Sequence, residues 1–338
     1  MRAPPDFMRP DLAEWIDAIN EMPYLTTLAL DSALPTVPPI PFDVKHTATL
    51  PSLTHLEIMA SPMECAVALA HLDLPALTIL CITARSHPHY FQKLLPYVAR
   101  HAHGPQDAQP LQSVIIRSDR NYADIIAWPV PDIDTEVRDP PTLLAATLPP
   151  RVTLSFPNWE GSTPTTYIGM AMEALPFESV VTFVAQDFKN PLDYDTSWLF
   201  HLSAWPILRR MRLAAPVEAL IFEMLVNNVV PDSLMFPSLI ELALVGGTGY
   251  CWVDVIVARV EQGIPFELLD LRTRTVIPQY PTPVDTWEDL SKIGVKVLAP
   301  EETSEERKGI RSIWKTVGSG LFFGESDHSY TSDDSDED

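Results

Sequence analysis

A short apolar motif recurs along this chain: an apolar residue, two variable positions, a second apolar residue, one variable position and a third apolar residue. The copies are Leu25-x-x-Leu28-x-Leu30, Leu53-x-x-Leu56-x-Ile58, Leu77-x-x-Leu80-x-Ile82, Leu111-x-x-Val114-x-Ile116, Val180-x-x-Phe183-x-Ala185, Leu208-x-x-Met211-x-Leu213, Leu239-x-x-Leu242-x-Leu244 and Phe266-x-x-Leu269-x-Leu271. A degenerate copy, Val152-x-Leu154, lies in the longest gap. The alternation that ends each copy is typical of a β-strand with one buried face, so one short strand is predicted per copy.

Amphipathic helix patterns separate the predicted strands. Apolar residues recur at i, i+3, i+4 and i+7 in segments that begin at Leu12, Met63, Phe91, Tyr167, Val217 and Val253. Each pattern has a single apolar stripe, which predicts a helix that is covered on one side only. Strands that alternate with helices are expected to be parallel and joined by helical crossovers.

The spacing of the motif narrows the fold class. Consecutive central positions lie 24 to 38 residues apart, and a step of roughly 20–30 residues with this core indicates a leucine-rich repeat. We therefore predict an α/β, leucine-rich-repeat-like solenoid with parallel strands on the concave side and helices on the convex side. A doubly wound α/β domain also alternates strands and helices. It does not require proline just before most strands, as found here at Pro23, Pro51, Pro75, Pro206 and Pro237.

Composition predicts how the chain is divided. Residues 1–10 are expected to be a disordered N-terminal segment and residues 11–300 the solenoid. Residues 118–150 interrupt the array with prolines that include Pro129, Pro131, Pro140 and Pro141, and predict an insert, either a loop or an extra strand around Asp124–Trp128. Residues 301–323 contain an amphipathic pattern that predicts a capping helix, and the low-complexity residues 324–338 predict a disordered acidic tail.

The charge of the chain excludes some classes of partner. The formal net charge is −22, and the last 14 residues contain seven acidic residues and no Lys or Arg. An acidic surface repels phosphate backbones and anionic lipid, so we expect neither nucleic acid nor membrane as a partner. The three cysteines form no CxxC pair, and residues 1–20 show no apolar signal-peptide region. A cytoplasmic or nuclear protein is expected.

The candidate metal and phosphate motifs are weak. His87, His89, His101 and His103 form two HxH pairs at opposite ends of one predicted helix, too far apart to converge on one ion, so surface histidines are expected. The glycines of residues 246–249 follow a predicted strand but match neither nucleotide-binding pattern, which favours a tight turn. No metal and no cofactor are predicted.

No catalytic motif was found either. GxSxG and HExxH are both absent from the sequence. Cys81 falls on the predicted concave face with Arg85 four positions later, but an inert thiol is the simpler interpretation. We therefore predict no catalytic residues and a protein that is not an enzyme.

The predicted concave face is the strongest candidate for function, because the variable positions of each strand point away from the core. Candidate partner-binding residues are His55, Glu57, Met59, Ile115, Arg117, Val184, Arg210, Arg212, Glu241, Asp270 and Arg272. The apolar members are costly to leave in water. A simpler alternative is that the insert or the helices cover part of this face.

The arginines of this face stand out in so acidic a chain. Arg117, Arg210, Arg212 and Arg272 are predicted to form a positive patch for an acidic or phosphorylated partner segment. The acidic tail could shield that patch. The tail also has Thr331 and Ser335, each followed three residues later by an acid, an arrangement that acidophilic kinases favour; a solubilising tail is the alternative.

Three segments resemble a known family. The stretch LLPYVARHAHGPQDAQPLQSV (94–114), with LPSLTHLEI (50–58) and FPSLIELAL (236–244), resembles the F-box-like leucine-rich-repeat proteins of mushroom-forming fungi. The resemblance covers most of residues 11–300. It implies that the repeats hold targets for a cullin-type ubiquitin ligase, whose adaptor binds the F-box.

No F-box was found, because nothing in the ten residues before the first predicted helix matches its LPxE-like opening. A truncated gene model, a relative that lost the box and a free-standing repeat protein are the alternatives. We predict a protein-interaction module, the target-binding repeat region of an F-box-like protein. The alternatives are a repeat scaffold without a ubiquitin link and an α/β enzyme with an unrecognised site.

Overall fold

A computed structural model describes part of the chain. The described residues are 10–35, 46–85, 90–118, 122–131, 148–157, 164–186, 197–203, 205–214, 236–245, 263–270 and 294–298, together with Val217, Ile221 and Arg259. The chain divides into two units, Met1–Ala299 and Pro300–Asp338, and every described residue belongs to the first. Residues 1–9, the predicted capping helix and the predicted tail lie outside the described residues.

Described helices separate many of the strands as far as Ala214, as the sequence predicts. The helices predicted to begin at Val217 and Val253 lie outside the described residues, except for Val217, Ile221 and Arg259. The helices are α1 (Leu12–Asn20), α2 (Pro62–Ala70), α3 (Phe91–Ala102), α4 (Pro164–Ala174) and α5 (Ser197–Ser203). The strands are β1 (Thr27–Asp31), β2 (Ala48–Thr49), β3 (His55–Ala60), β4 (Leu72–Asp73), β5 (Ile79–Ala84), β6 (Ser113–Ser118), β7 (Tyr122–Trp128), β8 (Val152–Pro157), β9 (Thr182–Gln186), β10 (Arg210–Ala214), β11 (Glu241–Val245), β12 (Leu268–Asp270) and β13 (Lys296–Leu298). None of these helices is both long and apolar enough to cross a membrane.

Eleven of the described strands form one sheet in the order β1-β3-β5-β8-β7-β6-β9-β10-β11-β12-β13, and β2 pairs with β4 separately. Neighbouring strands of the large sheet are parallel except β6–β7 and β7–β8, which are antiparallel. The predicted α/β class with mainly parallel strands is therefore confirmed.

The recurring motif sets the register of the sheet. Leu28 pairs with Leu56, and Leu56 pairs with Leu80, so the central motif positions lie side by side. In sheet order, the same row continues through Val152, Ala127, Val114, Phe183, Met211, Leu242, Leu269 and Val297. Because side chains alternate between the two faces of a strand, this register places all the central motif residues on one face.

Strand β7 lies within the predicted insert, residues 118–150. The chain passes from β5 through α3 to β6, which lies three places further along the sheet, and β7 and β8 then return in two antiparallel steps to β5. Val152 pairs with Leu80 and Leu154 with Ile82, so the degenerate copy is in register with the others. Of the two alternatives for the insert, a loop or an extra strand around Asp124–Trp128, the described residues show the strand, and residues 132–147 lie outside the described residues.

The helices begin where the sequence supplies capping groups. Asp11 and Glu14 form a reciprocal capping box at the start of α1, and Ser61 and Glu64 form another at the start of α2. Each box satisfies two backbone N–H groups that a helix start leaves without partners. The predicted apolar stripe of α3 is buried as expected at Phe91, Leu94, Leu95 and Val98.

Helix α2 corrects one expectation. Its apolar stripe was predicted to be covered on one side, but eight of its nine residues are buried and only Glu64 is not. The reason is its position between the large sheet and its neighbours, since α2 contacts α3, β3, β4 and β5. The small side chains of Ala66, Ala68 and Ala70 fit such a crowded position.

One continuous core lies between the helices and the face of the sheet that carries the central motif residues. Leu56, Val114 and Phe183 on that face are fully buried. An aromatic cluster joins α3, β8 and α4: the Phe91 ring centroid lies 5.1 Å from that of Phe156 and 5.3 Å from that of Tyr167. Such contacts add about 0.5–1.5 kcal/mol per pair to the burial itself.

Two arginines donate hydrogen bonds to backbone carbonyls of residues that precede them in the chain. Nη2 of Arg100 donates to the Leu69 and Leu72 carbonyls at 2.6 and 3.0 Å. Nη2 of Arg259 donates to the Phe236 and Leu239 carbonyls at 3.2 and 2.9 Å. Burial lowers the pKa of Arg259 to about 10, so the side chain stays charged near neutral pH. Each arginine thus satisfies buried carbonyls that would otherwise lack donors.

The degenerate copy offers a test of the register. Leu154→Ala should lower the free energy of unfolding by about 2–5 kcal/mol, because a fully buried leucine leaves a cavity in the core. Ser155→Ala on the other face of the same strand should change it by less than about 0.5 kcal/mol. Urea unfolding followed by tryptophan fluorescence measures both, and equal effects would contradict the assigned faces.

Candidate functional site

The face of the sheet opposite the helices is called the open face below. Strand alternation places ten of the predicted partner-binding residues on it: His55, Glu57, Met59, Ile115, Arg117, Val184, Arg210, Arg212, Glu241 and Asp270. The eleventh, Arg272, lies outside the described residues. Which residues share this face was therefore predicted, but what covers each of them was not.

Part of the open face is covered by the chain itself. Ile115 and Val184 are 0% and 1% exposed and form a second apolar cluster with Ile126 and Trp128. Val130 packs against this cluster. The prediction that Ile115 and Val184 offer apolar surface to a partner is therefore corrected. The simpler alternative, that the insert covers part of the face, holds for these two residues.

The covering segment is residues 129–131, called the strap below. The Ser113 hydroxyl donates to the Val130 carbonyl, and the Thr182 hydroxyl donates to the Pro131 carbonyl at 2.6 Å. Ser113 begins β6 and Thr182 begins β9, so the strap follows β7 and lies across the starts of β6 and β9, the next two strands of the sheet. The sequence signal was Trp128 followed by a Pro-Val-Pro segment, which cannot extend a strand ladder.

Beside the strap the open face has a depression of about 180 Å³ over β9–β12. The parallel register brings Thr182, Arg210, Glu241 and Leu268 into one row across these strands. Val184, Arg212, Ala243 and Asp270 form the adjacent row. All of these residues line the depression, so four of the predicted partner-binding residues that bear charge are brought together.

The charges of the depression are mixed. Nε of Arg210 lies 2.9 Å from Oε2 of Glu241, and the two side chains are 40% and 33% exposed. A pair this exposed contributes at most about 1 kcal/mol and can rearrange. Arg212 and Asp270 flank Ala243 in the adjacent row. The arginines were predicted to form a positive patch; the structure places Arg210 and Arg212 in a mixed-charge site instead.

Charge also varies along the open face. On the described strands from β1 to β7 in sheet order, the charged open-face side chains are Asp31, Glu57 and Asp124. On those from β6 to β13 they are Arg117, Arg210, Arg212, Glu241, Asp270 and Lys296. The first part carries three acidic side chains, of which Asp31 is paired with Arg85, and the second carries a small excess of positive charge.

The Arg85 side chain also lies over the open face, although the sequence analysis did not include it among the residues of that face. Its Nη1 lies 2.9 Å from Oδ1 of Asp31, and its Nη2 contacts the Met59 sulfur. The guanidinium is therefore held over β1 and β3.

Burial raises the pKa of the Cys81 thiol, opposed by a hydrogen bond from Thr153. A raised pKa suppresses the thiolate and hence nucleophilic reactivity, in line with the inert thiol predicted here.

Surface histidines were predicted at the ends of α3; His103 is exposed, but the prediction is wrong for His101. His101 is buried, with Nε2 3.1 Å from Nη2 of Arg100. Burial, together with the Arg100 charge, lowers the pKa of His101 to about 4. The described residues contain no group of three or more His, Cys, Asp or Glu side chains that could hold a metal ion. His87, His89, Cys251 and the glycines of residues 246–249 lie outside them.

A comparison with protein-family models, curated proteins and solved structures found no match for this chain. Its candidate site therefore stands on the geometry above.

The buried histidine predicts how stability depends on pH. The unfolded chain protonates His101 near its ordinary pKa of 6.5, and the folded chain near 4. The unfolded state therefore binds more protons between these values, and stability falls as the pH is lowered from about 6.5 to 4. In urea unfolding at a series of pH values, His101→Gln should reduce this slope and His103→Gln, an exposed neighbour, should not. Equal slopes in both variants would refute the assignment.

The strap gives a second prediction. Thr182→Val should lower the free energy of unfolding by about 0.5–1.5 kcal/mol, because the hydrogen bond that the buried Thr182 side chain donates to the Pro131 carbonyl is lost. Thr78→Val removes the same kind of bond, 2.9 Å from the Thr54 carbonyl, at an exposed position, where water replaces the donor. Its effect should be clearly smaller. Urea unfolding measures both effects, and an equal loss of stability in the two variants would contradict the view that Thr182 anchors the strap from a buried position.

Proposed function

We propose that this chain is a leucine-rich-repeat-like solenoid that works as a protein-interaction module. The recurring motif and the in-register row of central residues support the solenoid, since each motif copy then adds one strand to a common core. The observation that carries the function is the depression over β9–β12, where charged side chains line a face of the sheet opposite the described helices.

The form of the site favours a protein partner over a small molecule. Ligand pockets for small molecules usually enclose about 300–1,000 Å³, and this depression measures about 180 Å³. It accepts one or two side chains of a larger partner. Partly exposed arginines beside apolar side chains are also typical of protein interfaces, where Arg is enriched.

In the cell, we propose that this surface holds targets for a ubiquitin ligase, as the resemblance to F-box-like repeat proteins implies. A repeat scaffold with no ubiquitin link would use the same surface. The two differ in whether the cullin adaptor is a stable partner. At Arg210 and Arg212 the proposed partner group is an acidic or phosphorylated side chain, because guanidinium groups bind carboxylate and phosphate in a bidentate manner.

The test is affinity purification of the tagged full chain from its own cells, followed by quantitative mass spectrometry. We expect Arg210→Glu with Arg212→Glu to reduce the recovery of specific partners about tenfold or more, which corresponds to about 1.4 kcal/mol per tenfold. Arg209→Glu with Lys93→Glu is the matched control, because it makes the same charge change at exposed positions outside the depression.

The outcomes separate the alternatives. Partners that the control retains and the double variant loses support the open face as the interaction surface. Near-stoichiometric recovery of the cullin adaptor supports the ligase role, and its absence beside other specific partners supports the scaffold. An unchanged set of partners in the double variant would refute the proposed surface.

A further inference from the structure

The strap is an internal example of how the open face holds an extended chain. It lies across the starts of β6 and β9, and its carbonyls accept hydrogen bonds from the hydroxyls of Ser113 and Thr182. Its Val130 side chain packs into the apolar cluster on that face. The open face therefore holds the strap by hydrogen bonds from side-chain hydroxyls to backbone carbonyls and by the packing of one apolar side chain, Val130. No strand pairing is involved.

The strap is also continuous with the depression. Thr182 binds the Pro131 carbonyl and lines the depression, and Val184 belongs both to the cluster under the strap and to the depression. The row that the strap follows, from Ser113 to Thr182, continues through Arg210, Glu241 and Leu268. Of these side chains, Arg210 can donate to a backbone carbonyl as the two hydroxyls do, whereas Glu241 can only accept.

We infer that the depression over β9–β12 binds an extended segment of a partner protein that carries an acidic and a basic side chain about three residues apart. The acidic side chain binds Arg210 and Arg212 on β10, and the basic side chain binds Glu241 and Asp270 on β11 and β12. The inference rests on the proposed function and names the partner chemistry of that surface.

The spacing follows from the sheet. Neighbouring strands lie about 4.8 Å apart, so the distance across the sheet from Arg212 on β10 to Asp270 on β12 is roughly 10 Å. An extended polyproline II segment rises about 3.1 Å per residue with three residues per turn, so side chains three residues apart lie roughly 9 Å apart on the same side. Three residues therefore span the two charged groups. The small Ala243 between them in the same row leaves room for the backbone or for a short side chain.

The mixed charges favour such a segment over a purely acidic one. An all-acidic segment would gain from the arginines but meet Glu241 and Asp270 within two strand spacings, where like charges repel. The Arg210–Glu241 pair is partly exposed, so an arriving carboxylate can share the Arg210 guanidinium, which has five N–H donors. A segment with both charges satisfies both sides of the depression.

The probes are fluorescein-labelled synthetic peptides of about ten residues, with prolines at the ends that favour an extended backbone. One carries Glu followed three residues later by Lys, and a second has the two charges in reverse order, because either chain direction can satisfy the sheet. A third has Gln at both positions, and a fourth has Glu at both. Binding to the full chain is measured by fluorescence anisotropy at low and physiological salt.

We expect one of the mixed peptides to bind at least about tenfold more tightly than the neutral and the all-acidic peptides, with weaker binding at higher salt. Arg212→Gln and Asp270→Asn should each weaken that binding about fivefold or more, and Glu173→Gln on α4, an exposed acid outside the depression, should not. Thermal unfolding of each variant verifies that it is folded.

A charge exchange makes the test decisive. In the variant Arg212→Asp with Asp270→Arg, the preference should pass to the mixed peptide of opposite order. Equal binding of all four peptides, a preference for the all-acidic peptide, no detectable binding of any peptide, or an unchanged preference after the exchange would each overturn the inference.

Failure of the inference and failure of the proposed function give different results. If the peptides fail but Arg210→Glu with Arg212→Glu still loses its cellular partners, the open face is an interaction surface for a partner of other chemistry. If the double variant also keeps its partners, the proposed function fails as well.

Discussion

The burial of one row of apolar side chains across the large sheet is the interaction on which the rest of this structure depends. Each motif copy contributes a central residue, such as Leu56, Leu80 or Phe183, and the parallel register places these residues side by side against the helices. Because side chains alternate along a strand, this register also fixes which residues face away from the core. The open face, and every charge on it, is a consequence of how the opposite face is buried.

Strand β7 shows how an interruption can be accommodated without loss of that row. Its Ala127 and Ile125 pair with Val152 and Leu154, so an antiparallel strand still contributes apolar residues at the shared positions. After β7 the chain continues over the open face, and there the strap covers Ile115 and the cluster around it. The insert thereby removes one part of the open face from solvent and leaves the depression over β9–β12 next to it.

Much of the fold was predictable because the signal was local. The motif predicted the strands, the i, i+3, i+4 and i+7 patterns predicted helices such as α3, and the insert was placed with its extra strand. The full burial of α2 was not predictable, since it depends on what packs on its far side. Likewise, the alternation placed Arg210, Arg212, Glu241 and Asp270 on one face, but it did not predict which of these charges lie next to each other, because that depends on the register between β10, β11 and β12.

The sequence by itself determined the α/β class, the position of most described strands and the identity of the residues on the open face. These follow from period and alternation, which are properties of neighbouring residues. Only the tertiary structure decided which open-face residues remain accessible and which charges meet. Ile115 and Val184 are covered by a segment that is adjacent to them in space but not in the chain, and the Arg210–Glu241 contact joins residues on separate strands. Coverage and charge pairing are set by distances between strands, which no local pattern encodes.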